Sequence, residues 1–412
     1  MIFADIRGEL HSLKCLPFAP QEVLVSVNER HVLRGLHLSP YAKFIYVSEG
    51  HIHDFYFDVA KGQCTKVDMP KGSMLYIPAN CAHGFYCFQK STVIYFLEER
   101  FDASRDRNIS WMSPDVGLGL SFDQIVISEK DKDASYLKKY KYLVLGGSGY
   151  LGSNLIKHLG DGTDAYLQVD TRVNDIEMIR QHIIKSGCEY VLCAAGISGR
   201  PTIEWCEDNV RETFEVNYLD MLRLMRVCDE CGVHLTIFGS GLVFTGEGKG
   251  KGKAIYTEND VPDLVSKVYT RYRVDLENKV RSGIYPRVLY LRILYPCTFD
   301  GAPKCFFTKM KDRCLNGAVH DVQVPLTVVP DLFPRLRLIL DRGAVGVLNF
   351  VNEGTVSLPH LLQLGGVECK NTVHAAGAVG NGYGLSVDKL NSFMDNNVSN
   401  VQDAVKQFAI KN

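Results

Sequence analysis

Along the first 130 residues, apolar and polar positions alternate in short runs: EVLVSV (22–27), KFIYVSEG (43–50), HIHDFYFDV (51–59), SMLYIPA (73–79) and TVIYFLEE (92–99). A period of two puts alternate side chains on opposite faces, and the intervening turn residues predict an antiparallel all-β sandwich or barrel. A charge-dense stretch, SEKDKDASYLKKYK (128–141), then separates a further strand, QIVI, from YLVLG, and places a domain boundary near Ser135. The expected domains are 1–134 and 135–412. In the second, apolar strands alternate with amphipathic helices: YLVLGG, GYLGSNLIKHL, YVLCAAG, TFEVNYLDMLRLMRVCDE and LTIFGSG. That rhythm predicts an α/β, doubly wound parallel sheet of the Rossmann kind.

Composition narrows the functional classes. The chain has 412 residues, 46% of them hydrophobic and 23% charged, which is globular. Lys plus Arg total 46 against 47 for Asp plus Glu, a net charge of -1, so no long-range field draws nucleic acid or an anionic membrane. No run approaches the ~18 apolar residues of a membrane span, and the opening MIFADIRGEL is unlike a signal peptide, so a cytoplasmic protein is expected. Thirteen scattered cysteines fit reduced thiols better than a disulfide framework. The one CxxC, Cys228 and Cys231, lies in an apolar helical run ending at Gly232 and reads as core and cap. GEGKGKGK (246–253) reads as a solvated loop.

Gly146, Gly149 and Gly152 follow the strand YLVL and open a helix, the context in which a glycine-rich turn lets backbone amides approach a pyrophosphate. Ser240 ends a strand, and Tyr269 and Arg273 stand one helical turn apart. The cation favours the tyrosinate, so the phenol can serve as proton donor to a ketone oxygen that Ser240 polarises. In VDTRVND (169–175), Arg172 suits a 2′-phosphate and Asp170 a free 2′-hydroxyl. The two residues by themselves leave NADPH and NADH open.

These residues resemble the extended short-chain dehydrogenase/reductases, whose Tyr-x-x-x-Lys here carries Arg273 in place of Lys. AAGISGRPTIEWCEDN (194–209), GSGLVF (239–244), LNFVNEGTVS (348–357) and VDKL (387–390) resemble more closely the reductase domain of plant-type UDP-rhamnose synthases. That family mostly uses NADPH, which makes it the expected cofactor, and the resemblance implies cofactor contacts from Gly146, Gly149, Tyr150, Leu151, Gly152, Arg172, Asp175, Ala194, Ala195, Gly196, Asn217, Tyr269 and Arg273. It sets Gly199, Arg200 and Pro201 beside the sugar, and Lys304 where the family carries an Arg before its nucleotide-binding segment.

In the first domain, Arg34, His37, Lys43 and His83 could hold a phosphate and move a proton, although isolated barrel histidines are also common core groups. ADIRGEL (4–10), VLRGLH (32–37), YIPANCAHGF (76–85), ISWMSPDVGL (109–118) and ISEKD (127–131) together resemble the cupin-like dTDP-4-dehydrorhamnose 3,5-epimerases. The resemblance implies a jelly-roll barrel in which His37 is the base, Asp131 its partner and Tyr95 the returning acid. Arg34 and Lys43 stabilise the enolate or hold phosphate, Asn28 and His83 contact substrate, and Arg7 reaches the diphosphate, either within its own chain or from the partner subunit of a homodimer built through this domain. A second Tyr of the family is Phe101 here, which points to inversion at carbon 3 alone. His51 and His53 form an HxH, but the motifs belong to a metal-free branch, and no metal is expected.

Together the resemblances imply a bifunctional enzyme on a UDP-linked, rather than dTDP-linked, 4-keto-6-deoxy sugar, of a layout known from large DNA viruses. The first domain inverts carbon 3, with inversion at carbon 5 as well left open, and the second reduces carbon 4. The product is UDP-L-rhamnose or its 2-acetamido counterpart UDP-L-rhamnosamine, toward which Phe101 tilts the reading. Two alternatives stay open: a dinucleotide-binding or regulatory protein whose reduction was lost through Arg273, and a reductase whose cupin-like domain only dimerises.

Overall fold

The structure, a computed structural model, describes residues 2–5, 8–11, 16–119, 123–159, 165–199, 202–246, 254–369, 371–373 and 383–409, with side chains from residue 16 onward. Arg7, Arg200, Pro201 and most of the Gly/Lys stretch lie outside the described residues. Two compact units emerge: Met1–Lys139 with Ile184–Gly187, and Tyr140–Ile183 with Cys188–Asn412.

The first unit is built from strands β1 (Ile2–Asp5), β2 (Gly8–His11), β3 (Glu22–Asn28), β4 (Leu33–Leu38), β5 (Lys43–Glu49), β6 (His51–Asp58), β7 (Gln63–Pro70), β8 (Met74–Ile77), β9 (Cys81–Cys87), β10 (Ser91–Leu97) and β11 (Arg107–Asn108). Sheets of order β3-β10-β5-β8 and β11-β4-β9-β6-β7 make a cupin-like β sandwich. Alternation sends Ile45, Val47, Ile52, Phe85 and Val93 into one apolar core, while Leu33, Phe55, Phe57 and Tyr86 enter a second one on the other face of β4, β6 and β9. The expected strand QIVI is not one: Val126 makes a single bridge to Val32, and its backbone bonds reach only His31 and Leu33. A short helix follows, α1 (Glu129–Lys132), N-capped by Ser128, which accepts from the Asp131 amide.

The second unit carries β12 (Tyr142–Leu145), α2 (Tyr150–Leu159), β13 (Tyr166–Val169), all but the last three residues of α3 (Ile176–Ser186), β14 (Tyr190–Cys193) and β15 (His234–Phe238), then helix Val268–Arg281 and strands Val288–Arg292 and Gly346–Asn349. All pairings in the main sheet are parallel, in the order β13, β12, β14, β15, Val288–Arg292, Gly346–Asn349. The winding direction changes between β12 and β14, so a crevice opens at their carboxyl ends, where ligands of such sheets bind. The run read as one helix, 213–230, is interrupted by a π-helical turn, Glu215–Leu219. Its widened turn carries Asn217 into the interior. Cys228 is buried and Cys231 caps its helix, as core-and-cap residues do. No described helix is long and apolar enough to cross a membrane.

Candidate active sites

Within the first unit, the two sheets enclose a cavity of ≈ 540 Å³ whose lining includes Arg34, His37, Tyr41, Lys43, His83, Tyr95, Phe101 and Asp106. His37 and His83 stand opposite each other in the β4–β9 register, beside a register shift that re-aims β4. His37 Nε2 lies 2.8 Å from Asp131 Oδ1, and Asp131 Oδ2 accepts the Gly35 amide at 3.3 Å. Burial pushes the Asp131 carboxyl up, but the His37 hydrogen bond and charge, with the Gly35 and Ser128 bonds, outweigh it and hold the group below its ordinary value.

Tyr95 comes from the opposite sheet, on β10, and burial together with the Asp54 charge keeps its phenol protonated well above the usual range. Its ring meets His83 edge-on at 6.3 Å. Base and acid candidates therefore line one cavity from facing sheets. Lys43 is buried, and burial pushes its ammonium down against the pull of Asp106 and Asp54. Asn28 is not among the cavity-lining residues; its buried amide oxygen accepts from Arg34 Nε, so it aims the arginine.

Sequence reasoning missed Asp54, fully buried and 2.8 Å from His83 Nε2. The signal was present, because Asp54 shares the inward parity of Ile52 and Tyr56. It also missed Tyr41 and Asp106, which lie outside any regular periodicity. On β6, His51 and His53 take the opposite parity to Asp54. His51 bonds the exposed Asp68 at 2.6 Å, and both rings meet Phe88.

In the second unit, Gly146 (φ +73°) sits at the switch point, where a Cβ would fall 2.7 Å from the Ala195 nitrogen. A Cβ on Gly152 would fall 2.1 Å from the Gly146 oxygen. The turn after β12, the start of α2 and the Ala194–Gly196 segment after β14 are thus in backbone contact, a cradle with the approach a pyrophosphate needs. Gly149 closes the turn by donating to the Gly146 oxygen at 3.0 Å. Tyr150 turns its hydroxyl to Thr298 Oγ1 and the Pro296 oxygen, at 3.0 and 3.3 Å, and Leu151 packs on the core.

Arg273 is buried, its guanidinium 5.4 Å over the Tyr269 ring, and Nη2 donates to Asn217 Oδ1 at 3.4 Å. Asn217 is otherwise occupied with the Ile197 backbone, at 2.9 and 2.7 Å. It therefore fixes Arg273 and the turn beside Gly196. Arg273 Nε is buried and makes no hydrogen bond among the described residues, leaving a donor at the crevice. Glycine cradle and unspent donor both fit a dinucleotide. Ser240 is buried two residues past the end of β15, its Oγ accepting the Leu242 amide. Arg172 and Asp170 are exposed just past β13, Asp175 bonds the Met178 amide at the start of α3, and Lys304 is exposed before helix Phe306–Asn316. Gly199 ends the described part of its segment in a left-handed conformation.

Comparison with known proteins agrees with this division. Residues 8–139 match the family model of dTDP-4-dehydrorhamnose 3,5-epimerase, and residues 140–360 match that of the RmlD substrate binding domain. An Arabidopsis thaliana trifunctional UDP-glucose 4,6-dehydratase/UDP-4-keto-6-deoxy-D-glucose 3,5-epimerase/UDP-4-keto-L-rhamnose-reductase is 28% identical over 58% of this chain and 36% of its own length. The chain thus spans about a third of that relative. A bifunctional dTDP-4-dehydrorhamnose 3,5-epimerase/reductase of the same plant is 28% identical over 57% of this chain and 77% of its own. The solved L780 UDP-rhamnose synthase of Acanthamoeba polyphaga mimivirus shares the fold over 66% of this chain and all of its own, with TM-score 0.60 and 23% identity. Over more than half its length the chain matches one family model, and it belongs to the RmlD substrate binding domain family, its reductase-type unit preceded by an epimerase-type cupin-like domain.

Proposed function

We propose that the chain converts a UDP-linked 4-keto-6-deoxyhexose to its L-rhamno product, epimerising carbons 3 and 5 in the first unit and reducing carbon 4 in the second; the family and relatives named for 3,5-epimerases support this double inversion over the single one that Phe101 suggests. The observation that carries the reading is the pairing of His37–Asp131 with Tyr95 across one cavity, in a chain whose other unit has the glycine cradle and Tyr269–Arg273. Next to a ketone, a carbon-bound proton is acidic. His37 takes it, Asp131 fixes the imidazole and supports its charge, and Lys43 and Arg34 face the developing enolate oxygen. Tyr95, held protonated, returns a proton from the opposite face and so inverts the carbon.

At the second site the dinucleotide supplies a hydride when bound. Gly146, Gly149 and Gly152 hold its pyrophosphate, and Arg172 selects NADPH by meeting a 2′-phosphate. Tyr269 delivers a proton to the sugar oxygen, Ser240 polarises it, and Arg273, oriented by Asn217, supplies the cation beside the phenol. Lys304 and Gly199 contact the nucleotide sugar. The trifunctional plant relative and the viral synthase are named for UDP sugars and the bifunctional plant relative for a dTDP sugar, so two of the three names support UDP, and all three support a plain sugar over its 2-acetamido counterpart. The exposed Val23, Val25 and Val27 of β3 support a homodimer through this unit.

The test follows nicotinamide absorbance with purified protein, NADPH and UDP-4-keto-6-deoxyglucose, with dTDP and 2-acetamido analogues in parallel. Oxidation of NADPH fastest with the plain UDP sugar, abolished by Tyr269→Phe and retained in part by Arg273→Lys, is the expected result. Oxidation by the Tyr269→Phe variant at the wild-type rate would overturn the assignment.

A further inference from the structure

Twelve free cysteines lie among the residues with described side chains, and eight of them are buried. The four partly exposed ones are Cys64, Cys231, Cys314 and Cys369, of which only the last two meet. Cys314 lies on helix Phe306–Asn316, and Cys369 lies beyond helix Leu358–Leu364, 55 positions later. Their sulfurs are 2.8 Å apart, inside the separation of two non-bonded sulfurs, so the backbone already brings the thiols to bonding approach. The surroundings hold them there. Gly365 lies so close to Phe307 that a Cβ would fall 2.2 Å from its ring, and Val319–His320 pairs with Thr372–Val373 just beyond. No acid, imidazole or third thiol joins them in a metal-binding group among the described residues.

We propose that Cys314 and Cys369 are a redox modification site, forming a reversible intramolecular disulfide by exchange with a small disulfide such as oxidised glutathione. One protein thiolate attacks a glutathione sulfur, breaking that S–S bond and releasing the first glutathione thiol. The second protein thiolate then attacks the mixed disulfide and releases the other glutathione. The protein dithiol loses two electrons, glutathione disulfide gains them, and the two protein protons end on the two released thiols. Burial, reinforced by Cys314, pushes the Cys369 thiol up, which makes Cys369 the poorer first attacker. The bond ties the helix that follows Lys304 to the segment before Thr372 and closes a loop of about 55 residues.

The experiment equilibrates the whole protein in graded oxidised-to-reduced glutathione buffers, quenches with an alkylating reagent, and reads peptides by mass spectrometry and unfolding temperature by scanning fluorimetry. The expected result is a Cys314–Cys369 cross-linked peptide two hydrogens lighter than the dithiol, reversed by dithiothreitol. The unfolding temperature should rise by on the order of 5 °C with oxidation. Cys314→Ser and Cys369→Ser should each abolish both effects, and Cys231→Ser neither. Full alkylation of both thiols at every ratio would overturn the proposal, as would glutathione held on either cysteine without a cross-link. A temperature rise that persists in Cys369→Ser would contradict it too.

Discussion

Asp131 lies 2.8 Å from His37 Nε2 across 94 positions of chain, held by a Ser128-capped turn and by the Gly35 amide. The pair makes the imidazole an oriented base. Asp131→Asn keeps the shape and removes the charge, so exchange of the sugar carbon-3 proton with deuterated solvent should slow by roughly 10²-fold. Reduction of a sugar already epimerised should proceed at the wild-type rate, because the second unit is untouched. NMR of recovered substrate measures the first effect and NADPH oxidation the second. Stability carries a matching signature. The Asp131 carboxyl is held below its ordinary 3.8, so its stabilising contribution is present above that pH and is lost as pH falls through the lower folded value. The stability gap between wild type and Asp131→Asn should therefore narrow on acidification below pH 3.8.

Lys43 should set the alkaline edge of epimerisation. Burial lowers its ammonium from the ordinary 10.5, so its charge is lost before that of a surface lysine as pH rises. Proton exchange at carbon 3 should fall on the alkaline side below pH 10.5. Lys43→Arg, which stays charged, should move that limb upward while lowering the plateau, since the guanidinium fork does not reproduce an ammonium. A pH–rate profile of deuterium exchange reads both changes.

Gly152→Ala should damage the cofactor cradle without touching the epimerase. The added methyl would fall 2.1 Å from the Gly146 oxygen, a backbone atom, so the turn must open. Overpacking of this kind costs about 1–3 kcal/mol, and dinucleotide affinity, measured by calorimetry, should fall by at least tenfold. Carbon-3 exchange should be unchanged.

Arg292 and Glu277 are fully buried and joined by bonds of 2.6 and 2.9 Å, with further bonds from the guanidinium to Asn349 Oδ1 and the Thr257 oxygen. Removing one partner strands the other charge. Glu277→Ala should destabilise the second unit by about 3–5 kcal/mol in a denaturant titration, far more than removing a partner of an exposed pair such as Lys90–Glu29, which solvent screens.

The strands were legible because alternation and turn residues are local signals, and both glycine turn and His37 stood in local motifs. QIVI read as a strand on composition, yet a strand needs a partner along its length, and Val126 finds only one bridge. The π-helical turn was invisible because one extra residue in a turn leaves the apolar pattern of 213–230 intact. Asp54 was passed over for its histidine neighbours, although its parity put it inside. The Arg292–Glu277 pair joins a strand to a helix through tertiary packing, which no short-range pattern encodes. Asn28 also bonds Arg34, a partnership that no local pattern in the sequence signals.

The most direct test of the two-site account is one reaction in deuterated water with UDP-4-keto-6-deoxyglucose and NADPH, its product resolved by NMR. The account predicts an L-rhamno product with solvent deuterium at carbons 3 and 5, and its loss in His37→Asn while NADPH is still consumed on a sugar epimerised beforehand. A reduced product of unchanged carbon-3 configuration and without deuterium would contradict it.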